Sequence, residues 1–526
     1  MSEDKSYLYQ SIAQSVRDHG IDTMFGLMGD ANLFMADHYV RACGGAFVPV
    51  AHEGSAVLMA LAYSHASGRT GVATVTHGPA LTNCVTALTE GVRGRIPMVL
   101  LAGDTAVINP ENPQNTDQRE VVKVTGAGFE QMRAPETAAQ DIARAFHRAR
   151  VERRPVVVNM PADFMWRETA HETVVFPAFD TPAYVPEGEG LDEAIGMIAS
   201  AKRPIVLAGA GAVGARDKLV RLAERLEAPL ATTLKAKNLF KDHPSHMGIF
   251  GTLSTPAAYD VIAAADCVIC FGASLHQFTT DKGKLMAGKR VVQVNDDAAE
   301  VSRNFRPDAA LVADAGLTAD NIVYWLDEAE IPPTGFTGEL DPESLTRHPS
   351  GAAGTSKPGF VDYVHALETL ERALPENRVL VTDGGRFMTE VWCRISATDP
   401  KSFIISTNFG SIGLGLQEAI GAAAALPDRP VALFTGDGGF MAGGMTEFNT
   451  AVRMKQDRSS SSATTPHTAP NTSRWSTAAW IRDWRSSTGR TSRRSRRRSA
   501  ATACRCARKT TSKPPSKLSG RATVRC

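Results

Sequence analysis

The chain has no run of about 18 apolar residues, which excludes an ordinary membrane-spanning helix. Its opening, Met1-Ser2-Glu3-Asp4-Lys5, lacks both the basic flank and the apolar stretch of a secretory leader. A cytoplasmic protein is therefore expected. A cysteine framework is missing as well: the eight cysteines are scattered without regular spacing, so reduced thiols are expected rather than a disulfide scaffold. Cys267-Val-Ile-Cys270 lies in an apolar, strand-like run, which suits a pair of core thiols better than a zinc or redox motif. Net charge is almost absent, at +1 over 526 residues. That balance conceals an asymmetry, because residues 458–526 hold 17 Lys or Arg and one acid, which leaves the rest of the chain acidic.

At about 150 residues per domain, the length predicts three to four domains with an ample core in each. Apolar runs such as Gly71-Val-Ala-Thr-Val-Thr76, Met98-Val-Leu-Leu-Ala102 and Pro155-Val-Val-Val-Asn159 are separated by helix-length stretches. This spacing predicts βαβ units and a parallel sheet. A second series runs from Pro204-Ile-Val-Leu-Ala208 through Asp266-Cys-Val-Ile-Cys-Phe-Gly272 to Arg290-Val-Val-Gln-Val-Asn295. A third opens with Arg378-Val-Leu-Val-Thr-Asp383 and Pro430-Val-Ala-Leu-Phe-Thr435. The expected fold is α/β, with three doubly wound parallel-sheet domains over residues 1–170, 188–330 and 358–457 and a linker at 331–357. The third domain is expected to be incomplete. After Asp457 the composition turns abruptly to Ser, Thr, Arg and Pro, so 458–526 reads as an aberrant, disordered basic tail.

The strongest chemical signal is Thr435-Gly-Asp-Gly-Gly-Phe440, in which a strand ends in a glycine-flanked carboxylate and a helix start follows at Met441. Backbone N–H groups at such a helix start favour phosphate, and an aspartate between glycines can hold a Mg²⁺ that bridges phosphate oxygens. An ordinary Asp-Gly turn would look the same in isolation. Gly209-Ala-Gly-Ala-Val-Gly214 fits the dinucleotide fingerprint after a strand, but a lone match of this kind reads better as a close strand-to-helix turn.

Taken together, His52-Glu-Gly-Ser-Ala56, Thr76-His-Gly-Pro-Ala-Leu-Thr-Asn83, Gly410-Ser-Ile-Gly413 and Gly436-Asp-Gly438 resemble thiamine-diphosphate-dependent enzymes of the acetolactate synthase and 2-oxo-acid decarboxylase type, in that family's order. The resemblance covers residues 5–457. It implies pyrimidine-binding, central and diphosphate-binding domains, thiamine diphosphate and Mg²⁺ as cofactors, and a small 2-oxo acid as substrate. It also implies a homodimer or homotetramer, with each cofactor between the first domain of one subunit and the third of another. Neither a membrane nor a specific nucleic acid is an expected partner.

By the same resemblance Glu53 is the catalytic carboxyl. It hydrogen-bonds the aminopyrimidine ring so that the ring can take the proton from the thiazolium C2, which requires a carboxyl able to share a proton in a dry site. Asp437 is implied as the metal ligand and Ile412 as the bulky residue that props the cofactor in its bent shape. Ser411 and the glycines Gly384, Gly385, Gly410, Gly436, Gly438 and Gly439 are implied to let backbone approach the diphosphate. His77 and Gln118 are implied on the substrate side, with a satisfied turn or surface residue as the alternative for each. Met247-Gly-Ile-Phe-Gly-Thr252 is similar to a segment that lines FAD in acetolactate synthases, but Phe271-Gly-Ala-Ser-Leu-His-Gln-Phe278 lacks the Arg-Phe-Asp-Asp pattern of those enzymes. That departure counts against FAD and favours a related lyase or carboligase.

The pattern breaks near residue 458. The family resemblance implies a second metal ligand, an asparagine, at the end of an apolar strand downstream of the aspartate. At the matching distance, 27 residues after Asp437, stands Thr464, preceded by Ser459-Ser-Ser-Ser462. A TCN serine codon read one base upstream becomes NTC, which encodes only Phe, Leu, Ile or Val. An ACN threonine codon likewise becomes Asn, Asp, His or Tyr. The displaced frame therefore restores an apolar strand followed by ligand-type residues at 464 and 465, and the expectation is that residues from about 458 are read in a shifted frame. Two further readings remain open on sequence. One is a catalytically defective family member acting as a partner subunit, and the other is non-specific nucleic-acid binding through Arg493-Arg-Ser-Arg-Arg-Arg498.

Overall fold

The computed structural model describes residues 5–177, 183–350, 361–454, 458–464 and 476–480. The first unit contains strands β1 (Lys5–Tyr7), β2 (Thr23–Gly26), β3 (Ala46–Pro49), β4 (Gly71–Val75), β5 (Met98–Asp104), β6 (Gly128–Gln131), β7 (Pro155–Pro161) and β8 (Glu168–Ala170). Six of these form one sheet in the order β3-β2-β4-β5-β7-β6, parallel throughout. β1 and β8 make a separate antiparallel pair. β4 is buried along its whole length, as are β7 and all but the last residue of β5. Their continuous Val, Leu and Ala runs are what a parallel sheet covered on both faces requires.

The central unit has β9 (Pro204–Ala208), β10 (Leu230–Thr232), β11 (His246–Ile249), β12 (Cys267–Phe271), β13 (Arg290–Asn295) and β14 (Ala309–Val312), all parallel in the order β11-β10-β9-β12-β13-β14. Cys267 and Cys270 lie in the buried strand β12, and both are free thiols. Burial pushes the Cys267 thiol up to about 12, so this pair is core material. A Cβ at Gly209 would fall 2.2 Å from the Gly272 carbonyl oxygen. The fingerprint-like glycines therefore permit close packing of two neighbouring strand ends. Within 331–350, the one-turn segments Phe336–Glu339 and Pro342–Leu345 bury Phe336 and Leu345 against the central core.

The third unit has β15 (Val379–Thr382), β16 (Phe403–Ile405), β17 (Val431–Gly436), β18 (Arg458–Thr464) and β19 (Ser476–Trp480), in the order β16-β15-β17-β18-β19. The first four are parallel and β19 runs antiparallel at the edge. The chain is thus α/β with three mainly parallel sheets. Apart from β18 and β19, the basic tail, including Arg493–Arg498, lies outside the described residues.

The first and third units share one core. The helix Glu53–Ser67 is apolar around its whole circumference, the pattern of a helix covered on every side. It packs against the helix Gly415–Ala425, and a Cβ at Gly421 would stand 2.0 Å from the Met59 carbonyl oxygen. Only glycine allows so close a crossing.

Candidate active site

The candidate residues fall in two groups, one in each of these units. In the first unit, Glu53 is the opening residue of its helix and is half-buried. The preceding His52 supplies the cap, its Nδ1 accepting from the Gly54 N–H at 3.1 Å. The Glu53 carboxylate is therefore not the helix cap, and its Oε2 accepts from Asn83 Nδ2 at 2.9 Å. Asn83 ends the short helix that follows the His77-Gly78 turn. His77 is 6% exposed, and its Nδ1 has no hydrogen-bond partner among the described residues. Gln118 is 3% exposed and fully engaged: Oε1 accepts from the Gly78 N–H at 2.8 Å, while Nε2 donates to the Gly103 carbonyl and to Asn159. Its geometry is that of a residue fixing the His77-Gly78 turn.

In the third unit the glycines form a cradle. The helical run from Asp437 begins at Gly436, and the helix Gly415–Ala425 begins at Leu414; neither start has a side-chain cap. The two starts are in backbone contact, because a Cβ at Gly413 would lie 3.1 Å from both the Gly439 carbonyl oxygen and the Gly443 nitrogen. Gly384 joins them, its Cβ position 3.0 Å from the Ser411 carbonyl oxygen and 3.3 Å from Ile412 Cγ2. The start at Gly436 provides N–H groups and a favourable dipole for an anion, whereas at the other start the Gly413 N–H is taken by the Asp383 carboxylate. Gly385, Gly410, Ser411, Gly438 and Asp437 belong to these same loops, and Ile412 projects from them, 49% exposed.

Asp383, which the sequence reading did not single out, fastens the cradle. Its Oδ1 accepts from the Gly384 and Gly413 N–H groups at 2.7 and 3.0 Å, and its Oδ2 accepts from Thr435 Oγ1 at 2.8 Å. One carboxylate thus ties together the ends of β15 and β17 and the Gly410–Gly413 loop. Burial raises its pKa, against the pull of these hydrogen bonds. The signal available in sequence was a lone aspartate between an apolar strand and Gly384-Gly385.

The two groups are linked by carboxylates that reach across the shared core. Glu447, wholly buried on the helix Met445–Arg453, accepts through Oε1 from the backbone N–H groups of Ala51 and His52, at 2.9 and 3.1 Å. Glu90, also wholly buried, accepts from the Asn408 and Phe409 N–H groups at 2.8 and 2.6 Å, immediately before Gly410. Each unit therefore holds a loop of the other. Among the described residues no hydrogen bond joins Glu53 itself to the glycine cradle. Neither Glu447 nor Glu90 carries a local sequence signature, since each partner is more than 300 residues away.

The residues suit a diphosphate, on the evidence of the glycine contacts and the uncapped helix start at Gly436. For a metal, the carboxylate at the cradle is Asp437. No group of three His, Cys, Asp or Glu that could hold an ion occurs among the described residues, and Mg²⁺ at a phosphate site ordinarily needs only one or two carboxylates besides phosphate and water. The register pairs Gly436 with Ala463, so position 464 lies at the end of β18, level with Asp437.

Comparison with known proteins agrees with this geometry. Residues 7–125 match the N-terminal TPP-binding domain of the thiamine pyrophosphate enzymes, 191–322 the central domain and 383–458 the C-terminal TPP-binding domain. The chain is 32% identical to a sulfoacetaldehyde acetyltransferase of Alcaligenes xylosoxydans xylosoxydans, covering 83% of this chain and 77% of that protein. It is 29% identical to a probable acetolactate synthase large subunit of Methanocaldococcus jannaschii, over 82% and 76% of the two chains. It is 27% identical to a probable 2-ketoarginine decarboxylase of Pseudomonas aeruginosa, over 82% and 77%. The helix starts joined at Gly413, the half-buried Glu53 and these matches lead to one assignment: the chain belongs to the thiamine-diphosphate-dependent enzymes of the acetolactate synthase and decarboxylase type.

Proposed function

We propose that the chain is built to decarboxylate a small 2-oxo acid, followed by protonation or by condensation with a second carbonyl compound. The observation that carries this reading is the contact of the Gly410–Gly413 loop with the helical run that starts uncapped at Gly436, coupled through Glu447 to the loop that bears Glu53. When bound, thiamine diphosphate supplies the electron sink that allows the bond to CO₂ to break. Glu53 is the proton-sharing carboxyl for the cofactor's aminopyrimidine ring, and Asn83 orients it. Asp437 would be the side-chain ligand for Mg²⁺, and Ile412, which projects from the Gly410–Gly413 loop, would support the cofactor. Gly384, Gly385, Gly410, Ser411, Gly436, Gly438 and Gly439 bring backbone to the diphosphate. His77 faces the substrate, with Gln118 acting behind it through the Gly78 turn. Beside the cradle, Phe409, Ile412, Met441, Met445 and Phe448 are each at least 40% exposed. An apolar face of this kind favours a second copy of the chain as its cover.

The second reading concerns the C-terminal break. The C-terminal family match ends at residue 458, where the composition changes, and the polar strand Arg458–Thr464 stands beside the buried strand Val431–Gly436. Both observations favour a shifted reading frame from about residue 458. Sequencing the gene across codons 450–470, then measuring cofactor binding and CO₂ release from 2-oxo acids, tests the two together. One base gained or lost near codon 457, with activity in the restored chain, is the expected result. An intact frame, with folding retained and no cofactor bound, would instead make the chain a defective member acting as a partner subunit.

A further inference from the structure

A cavity of about 180 Å³ lies between the central and third sheets, outside the site described above. Its walls come from the residues around β10 and β11, from Thr346 and His348, and from Cys393, Arg394 and Ser396. Among the described residues no carboxylate lines it. Lys237 does, and it is 7% exposed; its Nζ donates to the Trp392 carbonyl at 2.6 Å. An ammonium has three donors and needs a counter-charge when buried. Among the described residues no acidic oxygen comes within 4.0 Å of this one. The other cation on the wall, Arg394, is already balanced by Glu390 and Glu368. Glu371, the acid whose field reaches Lys237, is bonded to Arg378 and to Ser396.

Burial lowers the Lys237 pKa to about 8, so the group stays mainly protonated at neutral pH. Burial also lowers His246, to about 4, and His348, while it raises the Cys393 thiol to about 11. The imidazoles and the thiol therefore bring hydrogen-bonding capacity without negative charge. The volume is well below the roughly 300–1,000 Å³ usual for sites that take larger organic ligands, which argues against a flavin.

We infer that this cavity binds a small oxyanion, either inorganic phosphate or the carboxylate of a small organic acid, with Lys237 as its charge partner. The ligand would bridge the central sheet's Lys237 to the Cys393–Ser396 segment of the third unit. The inference stands apart from the thiamine reading, and its test is run on the full chain without thiamine diphosphate or magnesium. Isothermal titration with sodium phosphate and with sodium pyruvate, against sodium chloride at equal ionic strength, is compared for wild type, Lys237→Met and Lys237→Arg. Saturable binding that weakens at least tenfold in K237M and persists in K237R is expected. The anion that binds identifies the source. Absence of saturable binding, or binding unchanged in K237M, would overturn the inference. Should K237M fail to fold, alkylation of Cys393 in the wild-type chain decides the matter, read by peptide mass spectrometry. The bound anion must slow it, and an unchanged rate at saturating anion rejects the site.

Discussion

The carboxylate of Glu447 accepts a hydrogen bond from the backbone N–H of His52 at 3.1 Å, across 395 residues of sequence. A second bond, from Ala51 at 2.9 Å, fixes the same loop. The residue that begins the next helix is Glu53, so the third unit sets the position of this carboxyl through the main chain. Glu447→Ala removes the acceptor from two N–H groups and leaves a hole in the shared core. A loss of about 1–3 kcal/mol in unfolding free energy is expected, with Glu447→Gln restoring most of it because one amide oxygen remains. Urea denaturation of the three proteins measures this directly. Equal stability of E447A and wild type would show that the bonds contribute nothing.

Glu53→Gln separates proton transfer from binding. The amide keeps the size of the side chain and can still meet Asn83, but it cannot share a proton at ordinary pH. CO₂ release from a 2-oxo acid should fall by about 10²–10⁴-fold, the usual contribution of a positioned acid–base group. Thiamine diphosphate affinity, followed by fluorescence quenching, should change little. A parallel loss of both would mean that Glu53 serves mainly in binding.

Gly413 tests the cradle. Its φ is +85°, and an added Cβ would sit 3.1 Å from the Gly439 carbonyl oxygen and the Gly443 nitrogen. Gly413→Ala therefore carries about 1–2 kcal/mol of left-handed strain together with separation of the two helix starts. Cofactor affinity should drop roughly tenfold for each 1.4 kcal/mol that reaches the site. Equilibrium dialysis with thiamine diphosphate and magnesium reads this, and unchanged affinity would place the diphosphate elsewhere.

The contrast between Gly413 and Glu447 explains which parts of the site could be read from sequence. Glycine-flanked Asp437, Gly410-Ser-Ile-Gly413 and His52-Glu53 are local: each motif lies within a few positions, so a resemblance to the family could be carried by them. The parallel sheets were legible for the same reason, since a strand covered on both faces must be apolar along its length. Asp383, Glu90 and Glu447 bind backbone N–H groups that neighbour them only after folding, and any carboxylate on a helix or at a strand end looks alike in sequence. Gln118 came to notice through the family resemblance alone. That its amide is directed at Gly78, Gly103 and Asn159 followed only from three-dimensional placement.

The shared core also predicts a pH dependence. Glu418 is 3% exposed and its pKa is raised well above 4.5, first by burial and then by the nearby charges of Glu90 and Asp383. A carboxyl with a raised pKa in the folded state holds a proton that the unfolded chain would release. Its stabilising contribution is complete below 4.5 and is lost as pH climbs from there through the raised folded value. Asp383 shifts in the same direction from 3.8, whereas buried His19 and His246, both lowered to about 4, oppose it by favouring the folded state as pH rises through 6.5. The difference between wild type and Glu418→Gln isolates the one group. The variant should gain stability relative to wild type progressively as pH climbs above 4.5, measured as the difference in urea midpoint. A difference that stays flat across that range would mean that Glu418 keeps an ordinary pKa in the folded chain.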